Sequence, residues 1–131
     1  MFLLDHVSIS VRDLDRARPF YDAIMAVLGA DKVRDGPDSL GYGTRCRPGD
    51  DAHTYVSIYR SVAANGDPRR HWCFKAATRD HVTRFHAAGL VNGGRDDGAP
   101  GLRPHYHAGY FAAFLLDPEG NRVEAVCHRA D

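Results

Sequence analysis

Cysteine is scarce in this chain: Cys46, Cys73 and Cys127 are dispersed, and no C-x-x-C pair exists. That excludes a disulfide framework and a paired-cysteine zinc site. Three scattered thiols fit a reducing, cytoplasmic setting as small half-buried fillers. A surplus of charge is also missing, since seventeen basic side chains balance seventeen acidic ones. Proteins that grip phosphate backbones or anionic lipid usually carry a basic excess, so neither nucleic acid nor a membrane is expected as partner. Long apolar runs are absent too. Phe111 to Leu116 is among the longest, far short of the roughly 20 residues that cross a bilayer. No basic segment followed by an apolar one opens the sequence, so no secretory leader is expected. Phosphate-cradling loops, dinucleotide fingerprints, nucleophile elbows and zinc-knuckle spacings are likewise lacking.

What remains is an ordinary globular composition, 44% apolar and 26% charged over 131 residues, with an internal echo. His6 and His71, Asp15 and Asp80, and Phe20 and Phe85 match at a constant offset of 65. Each pair falls in the same context: an alternating strand, an Asp-containing turn, an amphipathic helix. Two modules follow, about 1–64 and 69–131, joined by the turn-forming run Asn65-Gly66-Asp67-Pro68.

In the first module Leu3, Val7, Ile9 and Val11 alternate with His6, Ser8 and Ser10, the period of a half-buried strand. Asp13 or Asp15 can cap a helix carrying Leu14, Ala17, Tyr21, Ile24 and Leu28. Pro19 is tolerable only near its beginning, which sets the start close to Asp15, and Gly29 ends it. Gly36-Pro37-Asp38 and Gly41-Tyr42-Gly43 read as turns around short strands, and Arg45 to Asp51 as a loop. From His53 to Tyr59 alternation returns, with His53, Tyr55, Ser57 and Tyr59 on one face. The second module repeats the plan. His71, Cys73 and Lys75 alternate with Trp72, Phe74 and Ala76, and Thr78 caps a helix that Gly89 is expected to stop. The glycine-rich stretch from Asn92 to Pro104 reads as loop. Tyr110 to Leu116 is an apolar strand, Asp117-Pro118-Glu119-Gly120 a turn, and Arg122 to His128 the last strand. The expected class is α+β, with helices on one side of a curved sheet.

Strand parity carries the chemistry. His6, His71 and Glu124 all lie opposite the strongly apolar faces, and so point to the concave side. Two imidazoles and one carboxylate form a facial triad that leaves positions open on a divalent transition metal. Glu124 is one of only two glutamates and sits mid-strand, where a half-buried carboxylate needs a cation or a donor. The competing explanation is an ion pair with an arginine.

At these residues the chain resembles a family, the vicinal oxygen chelate superfamily, which includes glyoxalase I, bleomycin- and fosfomycin-resistance proteins and extradiol dioxygenases. The resemblance spans nearly the whole chain. It rests on Asp5-His6-Val7-Ser8-Ile9, on Asp13-Leu14-Asp15-Arg16-Ala17 leading to Phe20-Tyr21, and on Asp117-Pro118-Glu119-Gly120-Asn121-Arg122-Val123-Glu124. The stretch from Gly94 to His107 is similar to a subgroup of small glyoxalase-like proteins. The resemblance implies paired βαβββ modules forming an eight-stranded open barrel, helices outside, around one divalent metal held by His6, His71 and Glu124. It also implies a homodimer, its sites within one chain or shared between two.

One departure bears on the reaction. Metal-dependent glyoxalase I takes a fourth ligand, a glutamate, from the strand closing the first module. Here that strand holds no carboxylate, and Tyr55 or Tyr59 stands in its place. A three-ligand site resembles the extradiol dioxygenases and would suit iron(II), whereas zinc, nickel or manganese would serve isomerisation. The expected activity is thus lyase, isomerase or ring-cleaving dioxygenase chemistry on a small substrate with vicinal oxygens. The alternative is a metal-free, ligand-sequestering protein of the bleomycin-resistance type. His107 is the preferred acid–base group, together with Tyr110. Tyr55, Tyr59 and Arg103 are the expected substrate contacts, a guanidinium being suited to bidentate capture of an anion.

Overall fold

The computed structural model describes residues 3–67 and 69–130. Pro68 of the expected linker, and the ends of the 1–64 and 69–131 modules at Met1, Phe2 and Asp131, lie outside the described residues. The first module runs β1 (His6–Val11), α1 (Leu14–Leu28), β2 (Lys32–Asp35), β3 (Ser39–Gly43) and β4 (Tyr55–Arg60). The second runs β5 (His71–Lys75), α2 (Arg79–Val91), β6 (Arg95–Leu102), β7 (Phe111–Leu116) and β8 (Arg122–Cys127). Each module makes one four-stranded sheet, ordered β1-β4-β3-β2 and β5-β8-β7-β6. β1 runs parallel to β4 and β5 to β8, while the other pairs are antiparallel. The two sheets are open and do not close into a barrel.

Asp13 caps α1 by accepting the Arg16 amide at 3.1 Å, and Pro19 falls in the second turn of the helix. Gly29 closes it in the left-handed conformation that a side chain would strain. Leu14, Ala17, Phe20, Tyr21, Ile24 and Met25 are buried at helical spacing. They meet Ile9 and Val11 of β1 together with Val82, Phe85 and Leu115 of the second module in one continuous core. Thr78 caps α2 by accepting the His81 amide. The modules are therefore joined through α1 packed against α2, and not through a hydrogen-bonded strand edge.

The joint is reinforced at the 117–121 turn. Buried Asp117 accepts hydrogen bonds from the Tyr21 hydroxyl at 2.7 Å, the Glu119 and Asn121 amides, and the Asn121 side chain. The Glu119 carboxylate accepts the Arg12 and Asp13 amides, each at 2.7 Å, where the chain enters α1.

Three readings of the sequence are corrected. The stretch expected as loop from Asn92 to Pro104 contains strand β6, an edge strand with two register irregularities, near Gly98 and Gly101. Edge position and bulges let a glycine- and proline-rich segment pair where a central strand could not. α2 does not stop at Gly89 but continues to Val91. Gly89 is a packing residue, since a Cβ there would stand 2.3 Å from Leu115 Cδ1. Gly41-Tyr42-Gly43 is part of β3, not a turn, with the Tyr42 ring buried in the core.

Candidate functional site

The registers fix which side chains share the open face of each sheet. In the first, Cα partners align three rows: His6, Tyr55 and Gly43; Ser8, Ser57, Gly41 and Arg34; and Ser10, Tyr59 and Ser39. In the second, Cys73 aligns with Glu124 and Phe114, His71 with Arg122 and Leu116, and Lys75 with Val126 and Ala112. Odd positions on β1 and β8 feed the core, as alternation requires.

His71 and Glu124 meet. The imidazole Nε2 lies 3.4 Å from Glu124 Oε1, with the histidine side chain 44% exposed and the carboxylate 4%. The other carboxylate oxygen, Oε2, accepts the Tyr110 hydroxyl. A buried carboxylate with one donor and one imidazole answers the need for a partner, and those partners are not an arginine. Burial and the bond to Glu124 hold the Tyr110 phenol well above its usual range, so it stays a donor at neutral pH. Cys73, read as filler, has its thiol against the same two groups. Loss of hydration and the Glu124 carboxylate push that thiol up to about 12, keeping it protonated.

His6 sits apart from that pair. Its Nδ1 bonds Asp5 Oδ1 at 2.6 Å, while Asp5 Oδ2 takes His53 Nε2 at 2.8 Å. The bond to His6 holds the Asp5 carboxyl below its usual range, so it accepts from Nδ1–H, and among the described residues the His6 Nε2 makes no hydrogen bond. Among the described residues, no group of three or more His, Cys, Asp or Glu side chains could hold a metal ion. Within one chain the structure thus unites two of the three expected ligands and not the third.

The donor chemistry of the united pair does fit an ion. Two donors each about 2.1 Å from a metal, at a tetrahedral angle, lie about 3.4 Å apart. The separation seen between His71 and Glu124 is 3.4 Å, long for a strong hydrogen bond.

Around this pair stands an aromatic group. His107 Nδ1 accepts the Gly109 amide at 3.1 Å, so its Nε2 carries the proton and donates to His128 Nδ1 at 2.9 Å. Tyr110 touches both rings edge-on, at 5.5 and 5.4 Å between centroids. Arg103 bonds the carbonyls of Gly101 and Ala99 and lies over the Phe114 ring, bracing β6. Tyr55 and Tyr59 flank a residue that the sequence reading passed over: Arg34, whose guanidinium carbon lies 5.8 and 5.4 Å from their ring centres. Its signal was present only in pairing, as β2 places it level with Gly41 and Ser57.

Two βαβββ modules, helix-joined, with open faces carrying imidazole and carboxylate, define a paired-module α+β protein. The chain belongs to the glyoxalase/bleomycin resistance protein/dioxygenase superfamily, whose family model matches residues 3–125. It is similar to a glyoxalase/bleomycin resistance protein from Albidiferax ferrireducens T118, with 27% identity, a TM-score of 0.76, and 94% of this chain and 96% of that one covered. A glyoxalase/bleomycin resistance protein/dioxygenase family enzyme from Burkholderia phytofirmans PsJN shares the fold at 19% identity and TM-score 0.67, covering 93% and 95%. So does a putative glyoxalase from Bacillus halodurans, at 22% identity and TM-score 0.68, covering 95% and 94%. No curated protein matches the chain. Among the described residues no helix is long and apolar enough to cross a membrane.

Proposed function

We propose that this chain is a metal-dependent enzyme acting on a small substrate through two neighbouring oxygens, by lyase, isomerase or ring-cleaving dioxygenase chemistry. The observation that carries the reading is the His71–Glu124 pair, spaced for one ion on an open face and braced by Tyr110. His71 and Glu124 would hold iron, zinc, nickel or manganese, with His6 supplied by a second copy of the chain in a homodimer. The Asp5-oriented His6, exposed at 62%, has its Nε2 free for that role. When bound, such an ion supplies Lewis acidity to a substrate oxygen.

The remaining roles fall to this chain's own side chains. Tyr110 holds Glu124 in one orientation and keeps a proton at its hydroxyl, and we assign it the proton handling. His107, tied to His128, fixes the edge of the Tyr110 ring. Tyr55 and Tyr59 line the first module's face, whereas Arg103 braces β6 at the edge of the second module's sheet.

Metal analysis of protein purified without chelators tests the reading. We expect a stoichiometric transition metal that His71→Ala and Glu124→Gln each remove. Protein that neither retains nor rebinds any metal would instead favour the sequestering alternative, for which the Tyr55, Tyr59 and Arg34 face supplies the aromatic surface.

A further inference from the structure

Arg34 is a cation on the first module's open face, level with Gly41 and Ser57. Its Nη2 donates to the Ser57 hydroxyl at 3.2 Å and, more weakly, to the Tyr59 hydroxyl at 3.4 Å. Among the described residues Nη1 makes no hydrogen bond, and Nε is shut from solvent without a partner. Among the described residues no carboxylate pairs with it. A guanidinium normally satisfies its five donors and its charge together, and a buried N–H left open costs roughly 1–3 kcal/mol. Each such orphan in a folded protein asks for an absent partner.

The surroundings say what that partner is. Arg34 reaches across β3 because Gly41 has no side chain there, and the Tyr55 ring folds into the same gap. A Cβ on Gly41 would stand 2.0 Å from the Tyr55 hydroxyl oxygen. Ser57, under the guanidinium, is buried at 3% exposure. Hydroxyls of Ser57, Tyr55 and Tyr59 add donors but no negative charge. Ser57 aligns with Ser8, two residues along β1 from His6. The Nη1 end of the guanidinium, positively charged and ringed by hydroxyls, is matched to an oxyanion.

We propose that Arg34 is a substrate-binding residue that captures an oxyanion, carboxylate or phosphate, so the substrate is a small anion with its charged group on the first module's open face. The proposal rests on the reading above that this face binds a small substrate, but not on the metal. Ser57 and Tyr59 hold the guanidinium in place, and their hydroxyls turn to donate to the anion once it sits on the fork. Arg103, expected as the anion clamp, is spent on carbonyl oxygens instead.

The test is titration of metal-free protein, cleared of chelator, with inorganic phosphate and separately with acetate, at constant ionic strength. The Nε–H resonance of Arg34 and the Ser57 and Tyr59 amides are followed by NMR. We expect saturable shifts with at least one anion, and the arm that saturates at lower concentration identifies the class. Arg34→Gln should raise the apparent Kd at least tenfold, with Arg34→Lys intermediate and both variants folded by circular dichroism. Because the titrated protein is metal-free, its outcome is separate from that of the metal reading. No saturable shift with either anion, or a titration unaltered in Arg34→Gln, would overturn it. So would shifts that follow protein concentration instead of anion, because the orphan donor would then serve contact between copies.

Discussion

The Tyr21 hydroxyl donates to Asp117 across 96 residues of sequence, at 2.7 Å and out of contact with water. One bond thus links the first helix to the turn before the last strand. Removing it with Tyr21→Phe should cost about 1–2 kcal/mol, because Asn121 still serves the same carboxylate oxygen. Burial, then the Asp117 carboxylate, holds the Tyr21 phenol far above its ordinary 10.0. The unfolded chain releases that proton as pH passes about 10 while the folded chain keeps it, so stability falls as pH rises. Urea midpoints from about pH 9 to 11 should fall less steeply for Tyr21→Phe than for the wild type.

On the acid side the sign reverses. Bonds from Lys32, and then from Arg18, hold the exposed Asp35 carboxyl below its ordinary 3.8. A lowered folded value means a contribution that is present above about pH 4 and lost as pH falls through the folded value. Asp35→Asn should therefore be less stable than wild type at neutral pH, the difference shrinking toward about pH 2. Denaturant midpoints across that range check it, and a constant difference would remove Asp35 from the account.

Gly89→Ala sets two effects against each other. Alanine gains up to about 1 kcal/mol of helix propensity inside α2. Its methyl would meet Leu115 at 2.3 Å and Phe20 at 3.2 Å, both fully buried. Overpacking of that kind typically costs about 1–3 kcal/mol, so a net destabilisation is expected, read as a lower thermal midpoint.

Tyr110→Phe leaves Glu124 Oε2 without its donor. If Glu124 is a metal ligand, loss of that outer hydrogen bond should weaken metal affinity about 10- to 100-fold. Competition with a chromogenic chelator measures this, with His107→Ala as the milder companion because His107 reaches Tyr110 only through ring contact.

A site shared between copies has a signature that a single-chain site lacks. His6→Ala and His71→Ala proteins should each lose metal. Unfolded together and refolded, they should recover about one quarter of the wild-type metal content, since half the dimers are mixed and each has one intact site. Recovery of nothing would refute the homodimeric arrangement.

Much of the fold was legible because two patterns are local: alternation marked β1, β5 and β8, and the capping aspartate and threonine marked both helices. β6 was not legible, since glycine and proline signal turns unless an edge position lets them pair. Gly89 misled for a related reason: a glycine needed for close packing reads like a helix stop. Parity found the His71–Glu124 pair because both strands belong to one sheet. The same parity gave the face of His6 but could not say that its sheet shares no strand pairing with the other. Arg34 escaped because its meaning depends on what is missing around it, and no residue pattern records a vacant partner.

The anchoring of Arg12 and Asp13 by Glu119 breaks the symmetry that the offset of 65 suggests. The registers that pair His6 with Tyr55 and His71 with Arg122 make the offset 67 at this strand, so Ala52 stands where Glu119 would have its twin, and a methyl cannot accept two amides. The halves have consequently ceased to be interchangeable parts: a chain assembled from two copies of the first would leave both helix entrances unguarded. The order of the two modules along the chain is therefore fixed by one carboxylate at a single turn.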